Sequence, residues 1–335
     1  MTTEAENKIL EYLANMQEKP LVGATMTIDT LVSQWFTWKK PRWRVNTYDN
    51  YHTIYELHVK PQLGNLMLTE VTTDKIQAVV DDMSMNGFSV SMMTTAFSKV
   101  LYPALQYAED RDYIRKRPAK CLLPKKEKDE AARRSLTPEE ITSLFHACKD
   151  QFLWIALPLL LYTGLRRGEL LALRWDDISV EDDVLIFDVS KSYVATVGSG
   201  NRLEGTKNRF STRKVGLKTK EFISMLKEYR ATFGKGKTYV LSQINNDKMI
   251  DPNNFRRTFK RWSAEAGCPE VTPHYCRYTY ITQLIDAGVP LIYIAEQVGH
   301  KDLNMILTIY ADRKISKERM DCTENFADRM SALIA

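Results

Sequence analysis

The chain has 335 residues, 44% of them hydrophobic and 27% charged, which is enough for two domains and more than one ordinary core holds. No apolar run approaches the roughly 20 residues that span a bilayer. The start, with Glu4 and Glu6, lacks the basic and apolar regions of a signal peptide, so a cytoplasmic protein with no membrane partner is expected. Five cysteines (121, 148, 268, 276 and 322) without a Cys-x-x-Cys pair argue against a disulfide framework and a structural zinc site. The net charge of +5 is unevenly spread. Residues 1–114 carry 10 Lys and Arg against 14 Asp and Glu, whereas residues 115–134 carry 9 against 3. That short segment, with Arg115, Lys116, Arg117, Lys125 and Lys126, is either a solvated linker or one that crosses a DNA backbone, where clustered cations release condensed counterions.

In chain order, residues 1–26 suggest a short amphipathic helix (Ile9, Leu10, Leu13, Met16) and a loop. From 27 to 114 the pattern is helical. A first helix follows Asp29 and carries Leu31, Val32, Trp35 and Phe36. Next comes a basic-aromatic stretch, in which Lys39, Lys40, Arg42 and Arg44 alternate with Trp38 and Trp43. A second helix over 47–59 is expected to stop at Pro61, a third covers 73–85, and a fourth covers 89–109. After the 115–134 linker, a new domain over 135–335 opens on Thr137-Pro138-Glu139-Glu140, a capping box with proline in the first turn. Helices are expected over 138–149, 152–162 and from 167 to about 174. Strands are expected over 184–189, 191–197 and 213–217, with a Gly-Ser-Gly turn at 198–200. Helical signals return after Thr219. The fold class expected is mainly α with a small antiparallel β-sheet.

Four short elements carry chemistry: Thr163-Gly164-Leu165-Arg166-Arg167-Gly168-Glu169, His274-Tyr275-Cys276-Arg277, Gly299-His300, and Tyr310. Arginine forks bind phosphate oxygens, histidines move protons, and a phenol can attack phosphorus. Gly164 can turn the chain into a helix start, a place that favours phosphate, with Arg166 or Arg167 adding a fork. His274 and Arg277, three apart after Thr272-Pro273, fall on one helix face. Tyr310 has an ordinary pKa of about 10 and needs cations nearby to react. No carboxylate cluster suits Mg²⁺, which argues against a two-metal mechanism.

In these residues the chain resembles the tyrosine recombinases, also called phage integrases. The resemblance is dense over 135–312 and diffuse over 27–113, where Val59-Lys60-Pro61-Gln62-Leu63-Gly64 contributes to it. It implies a helical, SAM-like core-binding domain and a mixed α/β catalytic domain. It makes Arg166 and Arg277 the phosphate clamps, Glu169 a support, and His274 and His300 proton-sharing groups. Tyr310 becomes the nucleophile that forms a 3′-phosphotyrosyl link, without metal, ATP or other cofactor. Lys207, in Gly205-Thr206-Lys207-Asn208 and followed by Ser211 and Arg213, takes the place of the family's general acid, with Lys191 as the alternative. Cys276 and Tyr278 stand where the family has Leu and His, Val298 stands for Leu, and Arg117 stands for Asn; packing roles are expected for the first two. The implied partner is double-stranded DNA at specific sites, bound by the basic residues above. The resemblance also implies four protomers in synapsis and a monomer in free solution, with a directionality factor as a further possible partner. The alternatives are a type IB topoisomerase, which rejoins the same strand, and a non-catalytic DNA-binding regulator. Within the family, the motif style favours a mobile-element integrase over a dimer resolvase. The 26 leading residues are too few for an arm-binding domain, which is either absent or outside this sequence. A tail with Phe326, Met330, Leu333 and Ile334 on one face is expected to dock on its own domain or on a neighbour.

Overall fold

A computed structural model describes residues 25–125, 134–195, 200–205, 211–299 and 303–311. Its two compact units are built chiefly from residues before and after Lys128. No helix among the described residues is long and apolar enough to cross a membrane.

The first unit is helical. Helix α1 (Ile28–Lys39) is capped by Thr27, whose hydroxyl accepts from the Thr30 N–H. Helix α2 is one continuous rod made of Val45–Ile54, a π-helical segment Tyr55–Val59 and Lys60–Leu63. Helix α3 (Thr73–Met85) matches its expected ends. Helix α4 consists of Val90–Met93, a π-helical segment Thr94–Leu101 and Tyr102–Glu109. The expected stop at Pro61 is thus overturned. Proline lacks an N–H and its ring crowds the carbonyl four residues back. A widened turn relieves that crowding: Lys60 donates to Tyr55, five back, and Tyr102 before Pro103 donates to Phe97. Trp35, Tyr55, Val59, Ile76, Val80, Phe97 and Leu101 form the core. Residues 119–122 are not a free linker, because they lie along this unit. Tyr102 Oη donates to Ala119 O and accepts from Cys121 N, and Gln77 pairs with both backbone groups of Leu122.

The second unit opens with α5 (Pro138–Cys148), where Thr137 and Glu140 form the expected capping box. Helix α6 (Ala156–Thr163) starts four residues later than expected, since Asp150 is left-handed and residues 151–155 form turns. Helix α7 is Arg167–Ala172. The strands are β1 (Ile178–Glu181), β2 (Val184–Val189), β3 (Lys191–Val194), β4 (Arg202–Gly205) and β5 (Arg213–Leu217). They make two antiparallel sheets rather than one, a three-stranded β1-β2-β5 and a hairpin β3-β4. Strands β1 and β4, both short and charge-bearing, go beyond the three expected. Strand β3, expected to reach 197, ends at Val194. Asp182 and Asp183, both with positive φ, make the two-residue turn from β1 to β2. The closing helices are α8 (Lys220–Thr232), α9 (Pro252–Glu265), α10 (Pro273–Asp286), α11 (Leu291–Val298) and α12 (Asn304–Ala311). The main core gathers Trp154, Leu160, Leu171, Phe187, Phe222, Phe255, Phe259 and Trp262. A satellite core of Ile281, Ile285, Ile294, Val298, Ile306 and Ile309 ties α10, α11 and α12 together. Cys148, Cys268 and Cys276 are buried as free thiols, and Cys121 is half-buried.

Candidate active site

Helix α6 ends at Gly164 with φ 60° and ψ 23°, and a Cβ there would stand 2.3 Å from the Tyr280 ring. Both facts require glycine. The turn presents the Gly164 carbonyl to Nη1 of Arg277. Two residues on, Arg166 has extended backbone as the cap of α7. Glu169, inside the first turn, accepts from Arg166 N–H at 2.9 Å and from Arg166 Nη1 at 2.8 Å. Gly168 is required as well: a Cβ would meet Ser192 Oγ at 2.5 Å and Tyr193 O at 2.8 Å, because α7 lies against β3.

Arg213, the first residue of β5, reaches the same carboxylate. Its Nη2 donates to Glu169 Oε2 at 2.9 Å and its Nη1 to Oε1 at 3.3 Å, while Nε donates to Gln297 O at 2.6 Å. Arg277 Nη2 donates to Val298 O, and Arg166 Nη2 donates to Gly299 O at 3.3 Å. Three successive carbonyls at the C-terminal end of α11 therefore receive three arginines. A helix end leaves such carbonyls without intrahelical partners and carries about half a negative charge, so guanidinium groups suit it.

The charges do not balance. Among the described residues, two arginines pair with one carboxylate and a third, Arg277, stands on the helix-end carbonyls, so positive charge exceeds negative and suits an anion. Glu169 has only 3% of its side chain exposed. Burial alone would raise its pKa, but the hydrogen bond and charge of Arg213, with the charge of Arg166, outweigh it and hold the carboxyl below its usual range. Burial first, then the neighbouring Arg166 charge, push the Arg277 guanidinium well down. Burial likewise pushes the Tyr280 phenol up to about 12. Arg166 is the accessible member of the set, with 38% of its side chain exposed, whereas Arg277 is 1% exposed.

His274 is exposed in the first turn of α10, one turn before the buried Arg277, so the pair runs from rim to interior. Tyr310 is 38% exposed on α12, beside Ile306 and Ile309, which pin that helix to the satellite core. Lys207, His300 and Lys126 lie outside the described residues. Lys191, the alternative acid, is held by Asp177 at 3.0 Å. Arg167, the alternative clamp, is half-buried; burial, then the charge of Arg256, lower its pKa. Cys276 is fully buried and Tyr278 packs on the satellite core, which fits the packing roles expected of them.

The model of the phage integrase family matches residues 134–316, and that of the phage integrase N-terminal SAM-like domain matches 27–84. The chain belongs to the phage integrase family. Its relatives include a protein named tyrosine recombinase XerC-like, from Caldanaerobacter subterraneus subsp. tengcongensis. That protein is 29% identical over 350 residues, covering 97% of this chain and 89% of its own. An integrase of Staphylococcus phage L54a is 24% identical over 340 residues, covering 91% and 93%. Among solved structures, the Tn1549 transposon integrase with transposon right end DNA has a TM-score of 0.74 at 21% identity, covering 92% of this chain and 100% of its own. A lambda integrase tetramer on a Holliday junction has a TM-score of 0.60 at 19% identity, covering 94% and 88%. The chain is thus a tyrosine recombinase, a site-specific enzyme that transfers DNA strands.

Around this integrase fold lie the cations expected to meet DNA. In the first unit Lys39 Nζ stands 4.7 Å from the Trp38 ring, Arg42 lies 4.7 Å over the same ring, and Lys40 lies 5.2 Å over Tyr48. Lys40, Arg42, Arg44, Arg115, Lys116 and Lys125 are exposed, and Arg117 pairs with Glu109 at 3.6 Å. The structure adds two features to those expected. Arg111 joins the aromatic group, 3.8 Å over Tyr107. Helix α9 buries Phe255, Phe259 and Trp262 and exposes Arg256, Arg257 and Lys260. Its signal, basic residues at one-turn spacing opposite aromatic ones, is present in the sequence.

Proposed function

We propose that this recombinase cleaves and rejoins double-stranded DNA at specific sites through Tyr310. The Tyr310 oxygen forms a bond to the scissile phosphorus and the P–O5′ bond breaks. The phenol's proton passes to a neighbouring base, for which His300 is the candidate, and the 5′ oxygen takes a proton from Lys207. Attack by the 5′ hydroxyl of a partner duplex reverses the step, so the bond energy is kept in the phosphotyrosyl link and ATP is not required. Exchange of two strand pairs calls for four protomers on two duplexes, and the cytoplasm is the compartment in which DNA is met. The observation that carries the reading is the arginine cluster, three guanidinium groups at a helix end, two of them paired with one carboxylate, with Arg166 open to solvent.

Phosphodiester cleavage is slow because the anion repels nucleophiles, and preorganised cations relieve that repulsion. Arg166→Ala and Arg277→Ala should each lower the cleavage rate by about 10²–10³ while binding persists. The test is strand exchange between two labelled duplexes carrying the site. Recombinant product is expected from the wild type, and normal turnover by Arg277→Ala would remove that residue from the mechanism. Relaxation of supercoils without exchange would indicate a topoisomerase instead.

A further inference from the structure

We propose that Arg213 is a positioning residue for strand cleavage that keeps the charge of Arg166 available to the phosphate; the proposal rests on the functional reading above. The side chain of Arg213 is 5% exposed, and Nε, Nη1 and Nη2 all donate to protein acceptors, Gln297 O, Ser211 O and the Glu169 carboxylate, so it acts through Glu169. One guanidinium joins three parts of the fold: β5, which carries it, the first turn of α7 through both oxygens of Glu169, and the end of α11 through Gln297 O. Gly299, two residues further on, accepts from Arg166 and precedes His300 in the chain.

Glu169 orients Arg166 through its backbone N–H and Nη1. An orienting carboxylate has a drawback, since a lone Glu169 would cancel the charge that Arg166 must offer to an anion. Arg213 supplies the second cation, so the carboxylate is shared and positive charge is left over. With Arg213 neutral, Arg166, Arg277 and Glu169 together carry one net positive charge instead of two. That difference acts on the transition state, where the phosphate gains charge. Neutralising both partners at once, by Arg213→Met together with Glu169→Gln, restores two positive charges and removes the buried Arg213–Glu169 pair as a unit, so that neither member is left without the other.

The experiment compares covalent adduct formation by the wild type, Arg213→Met, and Arg213→Met with Glu169→Gln. Two nicked duplexes are used, one with an ordinary scissile phosphate and one with an uncharged methylphosphonate. Arg213→Met is expected to slow cleavage about 10²-fold on the phosphate and under about 10-fold on the methylphosphonate, with DNA binding unchanged. The double variant is expected to regain about 10-fold or more on the phosphate. Equal deficits on the two substrates, or a double variant as slow as the single one, would overturn the proposal, since a merely structural loss ignores the charge of the phosphate. If Arg213→Met does not fold, the double variant carries the test. Phosphate cleavage within about 10-fold of wild type supports the inference, and an equal, larger deficit on both substrates contradicts it. No adduct from the wild type would instead refute the functional reading itself.

Discussion

Glu169 is a carboxylate inside a protein, and its ionised form survives because two arginines face it. Arg213→Ala leaves that charge buried with half its compensation. Breaking a buried pair in this way costs about 3–5 kcal/mol, which urea unfolding should register. The pH dependence follows from the lowered pKa of Glu169. A carboxyl more acidic in the folded state stabilises the fold above its unfolded pKa of about 4.3, and that contribution is lost as pH falls through the lower folded value. The stability gap between wild type and Glu169→Gln should therefore be constant near neutrality and close only in acid. A gap that closes between pH 6 and 8 would assign it to another group. Arg166, Glu169 and Arg277 are legible in the sequence, because their local motifs are distinctive. Arg213 registers there only as context for Lys207, because Glu169 and Gln297, the two partners it links, lie 44 residues before it and 84 after it. One of those partners is a backbone carbonyl, which leaves no mark on residue identity.

At the scale of elements, the turn from α6 into α7 sets the site. Gly164→Ala would place an L-residue in left-handed backbone, costing about 1–2 kcal/mol, and would drive a methyl group into the Tyr280 ring. A fall in stability beyond that backbone cost, with slower cleavage as the Gly164 carbonyl shifts from Arg277, is expected from urea melts and single-turnover assays. Unchanged stability would mean that the ring moves freely. Thr137→Ala removes the cap of α5 and should cost about 1 kcal/mol in the same melts. Elements with local signals were legible: the Thr137 capping box, the ends of α3, and strand β2 all match their expected residues. Elements shaped by conflict were not. Pro61 reads as a stop, yet a widened π-helical turn lets the rod continue, since packing of Tyr55 and Val59 in the core outweighs one lost hydrogen bond. Strand β1 exposes most of its side chains and so lacks an alternating pattern.

Across the whole molecule, positive charge is concentrated rather than abundant. The net charge is only +5, while α9 exposes Arg256, Arg257, Lys260 and Arg261 and the α1–α2 connection exposes Lys40, Arg42 and Arg44. A cation that meets phosphate positions a duplex without reading its bases. Arg256→Ala and Lys260→Ala should each reduce the slope of log affinity against log salt by about 1, equally on matched and scrambled DNA. A loss confined to the matched site would mean that α9 reads bases instead. The proposed nucleophile is Tyr310. Its most direct test is a duplex nicked near the scissile phosphate, so that the freed end diffuses away, incubated with wild type and Tyr310→Phe and resolved on a denaturing gel. A covalent protein–DNA band from the wild type alone is the predicted result; the same band from Tyr310→Phe, or none from the wild type despite intact binding, would contradict the account.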